Sequence, residues 1–120
     1  MDVGLQMICA TYGWEGVSDQ QAYDEEIRLA LLAADLGFDA LWAVEHHHND
    51  YSFCPDNIQL MSYLAARRPD IDVGTAAVIL PWNDPLRVAE KVSMIDHFTN
   101  GRFRFGIGRG LARREFEALL

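Results

Sequence analysis

Cysteine is scarce in this chain: only Cys9 and Cys54 occur in 120 residues, far apart and without metal-motif spacing. A disulfide framework or thiolate metal site is therefore not the organising feature, and two reduced core thiols are expected. Positive charge is also in short supply. Ten Lys and Arg stand against eighteen Asp and Glu, a formal net charge of -8. Nucleic acid and anionic membrane surfaces select clustered Lys and Arg, so neither is an expected partner. Long apolar runs are missing as well. The most apolar region, Leu29 to Val44, is broken by Asp35 and Asp39 and does not read as a membrane span. No basic segment followed by an apolar stretch opens the chain, so no secretory leader is read and a cytoplasmic location is expected. The last absence is the dinucleotide fingerprint Gly-x-Gly-x-x-Gly after a first strand, where this sequence has Cys9-Ala-Thr-Tyr12.

What is present is a repeated unit. Half of the residues are hydrophobic, enough for one domain over residues 1–120 with a real core. Val3 to Ala10 reads as a short apolar strand. Ser18 followed by Gln21 is a capping-box signal, Ile27, Ala30, Leu31 and Ala34 recur at helical spacing, and Gly37 ends the helix. Ala40 to Val44 is a continuous apolar run, as in a strand buried on both faces of a parallel sheet. Asp56 then caps a helix carrying Ile58, Met61, Leu64 and Ala65, which ends at Arg68 before Pro69. Val73 to Leu80 is a third strand. Asp84 and Pro85 open a third helix with Leu86, Ala89, Val92 and Ile95 expected inward. Asn100-Gly101 stops it, and Arg102 to Gly108 gives a fourth strand with Phe103, Phe105 and Ile107 alternating. Parallel strands with crossover helices leave two architectures, a doubly wound sheet or part of a (β/α)8 barrel.

In both architectures ligands bind at the C-terminal ends of the strands. Thr11 and Tyr12, Glu45 and His46, Pro81-Trp82-Asn83, and Arg109 all fall at such ends, so four loops deliver polar groups to one rim. The stretch Glu45-His-His-His-Asn-Asp50 is one of them. Three readings apply to it. A metal site would use His46 and His48 with Glu45 or Asp50, but no second ligand cluster accompanies them, since His97 lies late in a helix. A solvated loop would leave the imidazoles idle. General acid/base work by one histidine held at the strand end is the third, and it suits imidazole near neutral pH. The cluster Gly106-Ile-Gly-Arg-Gly110 has the wrong spacing for a dinucleotide loop and reads equally well as a tight turn.

Several of these segments resemble one family. Leu41-Trp-Ala-Val-Glu-His-His47, Val73 to Pro81, Pro85 to Glu90, and Asp96 to Gly110 followed by Glu115-Phe116 are similar, in order and spacing, to the luciferase-like flavin monooxygenases. The resemblance implies a (β/α)8 barrel that binds reduced FMN and uses O2 to oxidise a small organic substrate. It also implies a separate flavin reductase and a homo- or hetero-dimer. Carried onto this chain, it makes His46 the catalytic histidine, sets Ala76-Ala77 against the flavin ring, often through a non-prolyl cis peptide, and sets Arg109 at the flavin phosphate. Oxygen chemistry on a flavin needs a site shielded from bulk water, and Tyr12, Trp14 and Trp82 are candidate walls, with Tyr12, Glu45 and Trp82 assigned to the substrate pocket. His46, beside Glu45, is read as the group that holds or passes a proton.

A (β/α)8 barrel takes roughly 250 residues, and four strands make only its N-terminal half. The chain is expected either to be part of a longer protein or to complete its sheet with another chain, because unpaired edge strands invite association. Two other functions stay open at this point: hydride transfer with the deazaflavin F420 in the same superfamily, and a non-catalytic flavin-binding subunit.

Overall fold

The helices begin where short-range side-chain chemistry lets them begin. In α1 (Asp19–Asp35) the Ser18 hydroxyl accepts the Gln21 amide at 3.2 Å and Gln21 Oε1 accepts the Ser18 amide at 2.8 Å. Asp56 caps α2 (Asn57–Arg67) by accepting the Gln59 amide at 3.0 Å. Asp84 caps α3 (Pro85–Thr99) through the Arg87 amide, also at 3.0 Å, with Pro85 in the first turn, where its missing N–H has no partner to lose. Gly37 and Asn100, both left-handed, close α1 and α3. Ser18→Ala removes one half of the capping box directly. It is expected to cost about 1 kcal/mol, seen as a lower urea midpoint at unchanged slope.

The computed structural model describes residues 1–120. Four parallel strands, β1 (Gly4–Met7), β2 (Ala40–Ala43), β3 (Asp72–Thr75) and β5 (Phe103–Arg104), form one sheet in the order β1-β2-β3-β5. Two further pieces, β4 (Val78–Ile79) and β6 (Ile107–Gly108), pair in parallel as a second small sheet. The register sorts the faces in rows. Leu5, Leu41, Val73 and Phe103 stand side by side. They point at the helices and join a core with Met7, Cys9, Ala30, Ala34, Met61, Leu64 and Ile95. The neighbouring row, Gln6, Trp42, Gly74 and Arg104, occupies the other face. There the Trp42 indole lies across two glycines, and a Cβ on either Gly4 or Gly74 would stand 2.6 Å from it.

This strand–helix alternation is the first part of a (β/α)8 barrel, but three details depart from the sequence reading. The third strand does not run unbroken from Val73 to Leu80. It ends at Thr75, passes the non-prolyl cis peptide at Ala76-Ala77 that the resemblance leads one to expect, resumes as β4 and turns through a 3-10 segment at Leu80–Trp82. The fourth strand breaks likewise at Phe105-Gly106, because the Thr75 hydroxyl donates to the Gly106 carbonyl and accepts its amide, taking the place of ladder bonds. On α3 the inward residues are Val88, Val92, Ile95 and Thr99, while Leu86 is 69% exposed and Ala89 is also exposed. Two positions are about 200° of helix, so a core that takes Val88 turns Leu86 away. A fourth helix, α4 (Arg113–Leu119), follows the glycine cluster. No helix is long and apolar enough to cross a membrane.

Candidate active site

The loop after β2 is tied to the loop after β1. Tyr12 N donates to Asp50 O at 2.9 Å, Phe53 N to Cys9 O at 3.0 Å and the Ser52 hydroxyl to Ile8 O, while His46 N donates to Cys54 O at 3.1 Å within the β2 loop itself. Asn49 holds its own loop closed, donating to His47 O and accepting from Ser52 N, each at 3.0 Å. The histidine stretch is thus an ordered rim segment. Cys9, Tyr12 and His48 all adopt left-handed backbone there, a conformation that for such residues concentrates at functional sites. Below the loop, the Cys54 thiol is pushed up by its hydrogen bond with Cys9 and by burial. The Tyr23 phenol, which donates to Phe53 O at 2.5 Å, is pushed up to about 12 by burial. A thiol raised in this way is a packing group rather than a nucleophile.

Each of the first two histidines meets its own carboxylate. His46 Nδ1 lies 3.1 Å from Glu115 Oε1, the same oxygen that takes the His47 amide at 2.7 Å. His47 Nε2 lies 3.1 Å from Glu45 Oε1. Glu45 is 4% exposed and also accepts from Asn83 Nδ2 at 2.9 Å and from the Ile79 amide at 2.7 Å. The carboxylate at the His46 ring is thus Glu115, while Glu45, adjacent to His46 in sequence and expected at a substrate pocket, bonds His47, Asn83 and the Ile79 amide. In extended chain, neighbours point to opposite sides and alternate residues share one, so Glu45 faces His47 and is used up in joining the rim loop to β4. No group of three or more His, Cys, Asp and Glu side chains is arranged to hold a metal.

The other expected residues are placed unevenly. Trp82 packs edge-on against His47 at 5.3 Å and Phe116 at 5.6 Å, and its buried indole N–H has no partner. Tyr12 is 55% exposed and reaches His46 only through Tyr51, at ring separations of 6.3 and 5.7 Å. Ala76 is exposed between buried Thr75 and half-buried Ala77, and Asn57, itself buried, donates to Ala43 O at 3.2 Å and Ala77 O at 3.1 Å. Arg109 projects from the end of β6 into solvent without an ion pair. His46, His47, Glu45 and Trp82 are brought together; Ala77 is held by Asn57, and Tyr12 and Arg109 are exposed. Two residues of the site, Glu115 and Asn57, are given no role by the sequence reading, although Glu115-Phe116 is one of the segments that carry the family resemblance. Asn57 follows a cap aspartate and reads as an ordinary first-turn residue, and Glu115 follows Arg113-Arg114 and reads as a solvated helix face.

The chain carrying this rim is similar to known proteins over nearly its whole length. The family described as luciferase-like monooxygenase matches residues 4–119. The chain belongs to the luciferase-like monooxygenase family. It is 34% identical over 106 residues to the alkanal monooxygenase alpha chain of Photorhabdus laumondii, covering 88% of this chain and 30% of that one. It is 34% identical over 110 residues to the oxygenase component of the flavin-dependent trigonelline monooxygenase of Acinetobacter baylyi, covering 88% and 31%. Among solved structures, monooxygenase RslO1 from Streptomyces bottropensis superposes with a TM-score of 0.89 at 32% identity, over 99% of this chain and 36% of that one. The oxygenating constituent of 3,6-diketocamphane monooxygenase from Pseudomonas putida, in complex with FMN, gives 0.87 at 25%, over 99% and 32%. The chain thus spans about a third of the length of the luciferase-like proteins it matches.

Proposed function

We propose that this luciferase-like chain forms the flavin-facing rim of a monooxygenase that uses reduced FMN and O2 to oxidise a small organic substrate. The observation that carries this reading is the placement of His46. Its side chain is 29% exposed at the strand ends, and its Nδ1 is engaged by a carboxylate that is fully buried. Its Nε2 bonds to no group of the chain and is left to a ligand.

The residues present fit a flavin. Ala76 offers only an exposed methyl group where a ring would lie, and the Gly106 position behind it has no room for a side chain, since a Cβ there would stand 2.1 Å from Thr75 O. Bound there, reduced FMN would supply the electrons that activate O2. The backbone of Ala76 and Ala77 would support the ring, with Asn57 holding Ala77 O in place. Arg109, free of internal partners, would take the phosphate through its guanidinium fork. His46 Nε2 would hold or move a proton at the reacting face. Trp82 and Phe116 would keep water from its flank. A separate reductase would deliver the reduced flavin, and a homo- or hetero-dimer is the working assembly.

Anaerobic titration of the protein with reduced FMN, oxidised FMN and F420 tests the reading. Reduced FMN is expected to bind most tightly, and Arg109→Ala to weaken FMN about tenfold or more while leaving riboflavin affinity unchanged, the loss of one charged hydrogen-bond partner. Preferential binding of F420 would overturn the FMN assignment. Equal losses for FMN and riboflavin would remove Arg109 from the phosphate.

A further inference from the structure

We propose that Glu115 and Glu45 sort the adjacent imidazoles into opposite tautomers, Nδ1–H on His46 and Nε2–H on His47, so that only His46 offers an unprotonated Nε2 at the rim. Glu115 Oε1 already receives the His47 amide at 2.7 Å, so it acts as an acceptor, and the ring nitrogen 3.1 Å away, His46 Nδ1, supplies the second proton. Both oxygens of Glu45 are likewise occupied as acceptors, Oε2 by the Ile79 amide and Oε1 by the Asn83 amide group. The third donor to reach Glu45 is His47 Nε2 at 3.1 Å. In a neutral imidazole, the nitrogen that donates fixes the other as the acceptor.

The other neighbours do not compete for these protons. Tyr51 packs T-shaped against His46 at 5.7 Å, Trp82 T-shaped against His47 at 5.3 Å and the His48 ring tilted beside His47 at 6.0 Å, all without a hydrogen bond to the two imidazoles, and the Cys54 carbonyl is bonded to the His46 amide rather than to its ring. Glu115 is therefore a positioning residue. It lies 69 residues from His46 in the chain and is 0% exposed, while its second oxygen has no partner. Its Oε1 takes both the His46 ring nitrogen and the His47 amide, so one buried carboxylate fixes the two neighbouring residues at the rim. His47, with its Nε2 proton committed to Glu45, is a tether for the loop.

The deduction rests on geometry alone, and its consequence for turnover rests on the flavin reading; the experiment separates the two. Long-range proton–nitrogen correlation spectra of the nitrogen-15-labelled, flavin-free protein at about pH 8, above the ordinary imidazole range, report each tautomer directly. An imidazole in water prefers Nε2–H, so a dominant Nδ1–H form at His46 reports the carboxylate. We expect that form at His46 and Nε2–H at His47. Glu115→Gln keeps an acceptor and keeps the His46 tautomer; Glu115→Ala returns it to Nε2–H and lowers turnover about 100-fold at an FMN affinity within about twofold of wild type. Nε2–H at His46 in the wild-type protein would overturn the proposal, and so would a folded Glu115→Ala protein that keeps Nδ1–H. If the alanine variant fails to fold, the wild-type and glutamine spectra decide. Sorted tautomers with unchanged turnover would uphold the sorting and remove His46 from the reaction.

Discussion

His46→Ala is expected to lower oxygenation by about 100- to 10,000-fold, the usual contribution of a positioned acid or base, with the affinity for reduced FMN nearly unchanged. The split follows from where the side chain stands. Its ring is partly exposed and is held through Nδ1 by Glu115, whereas the groups assigned to the flavin, Ala76, Ala77 and Arg109, lie on β3, β4 and β6 or next to them. Deleting the imidazole leaves those groups in place. It also leaves the loop in place, because the His46 contact to Cys54 runs through its backbone amide. The control is His48→Asn. His48 is exposed and adopts left-handed backbone at φ 55°, a conformation asparagine accepts readily, so turnover should stay at the wild-type level. Single-turnover assays on pre-reduced protein measure the chemistry apart from flavin delivery. Loss of FMN binding in His46→Ala, in step with loss of turnover, would make the histidine a structural support instead.

How much of the fold and site is open to sequence reading depends on the range of the interaction. Ser18, Asp56 and Asp84 mark helix starts because a cap acts within three residues, and each does so in the structure. The rim is also legible, since strand ends follow from strand positions. Glu115 is not: nothing local in Arg113-Arg-Glu-Phe116 distinguishes a buried carboxylate from a charged helix surface. Its partner is brought to it only by the fold. Adjacency places Glu45 beside His46, although alternation in extended chain points it at His47. The phase of α3 escapes sequence reading for a related reason: Leu86 is as apolar as Val88, and the choice between them is made by the packed sheet. The breaks in the third and fourth strands are hidden because they depend on one another, Thr75 bonding Gly106 across the sheet.

That junction makes Gly106 the position where a single methyl group should do the most harm to stability. A Cβ built there would lie 2.1 Å from Thr75 O and 3.2 Å from Thr75 C, both backbone atoms, far inside the normal contact distance. The residue cannot slide away freely. Its amide donates to the Thr75 hydroxyl at 3.1 Å, and its carbonyl accepts from that hydroxyl at 3.0 Å and from the Val78 amide at 2.9 Å. Relieving the clash breaks bonds worth about 1 kcal/mol each, and keeping them leaves overpacking of about 1–3 kcal/mol. Gly106→Ala is therefore expected to cost about 3 kcal/mol or more, a large share of a small domain's stability. Gly37 supplies the comparison. It has φ +85°, and a Cβ added to it would meet nothing within 4 Å, so Gly37→Ala carries only left-handed strain of about 1–2 kcal/mol. Urea unfolding of the two variants should rank them in that order, with the Gly106 variant also losing FMN affinity because Thr75 leads directly into Ala76. A Gly106→Ala midpoint equal to wild type would mean that β3 and β5 separate without cost, and the junction would then not be what holds Ala76 and Ala77 at the rim.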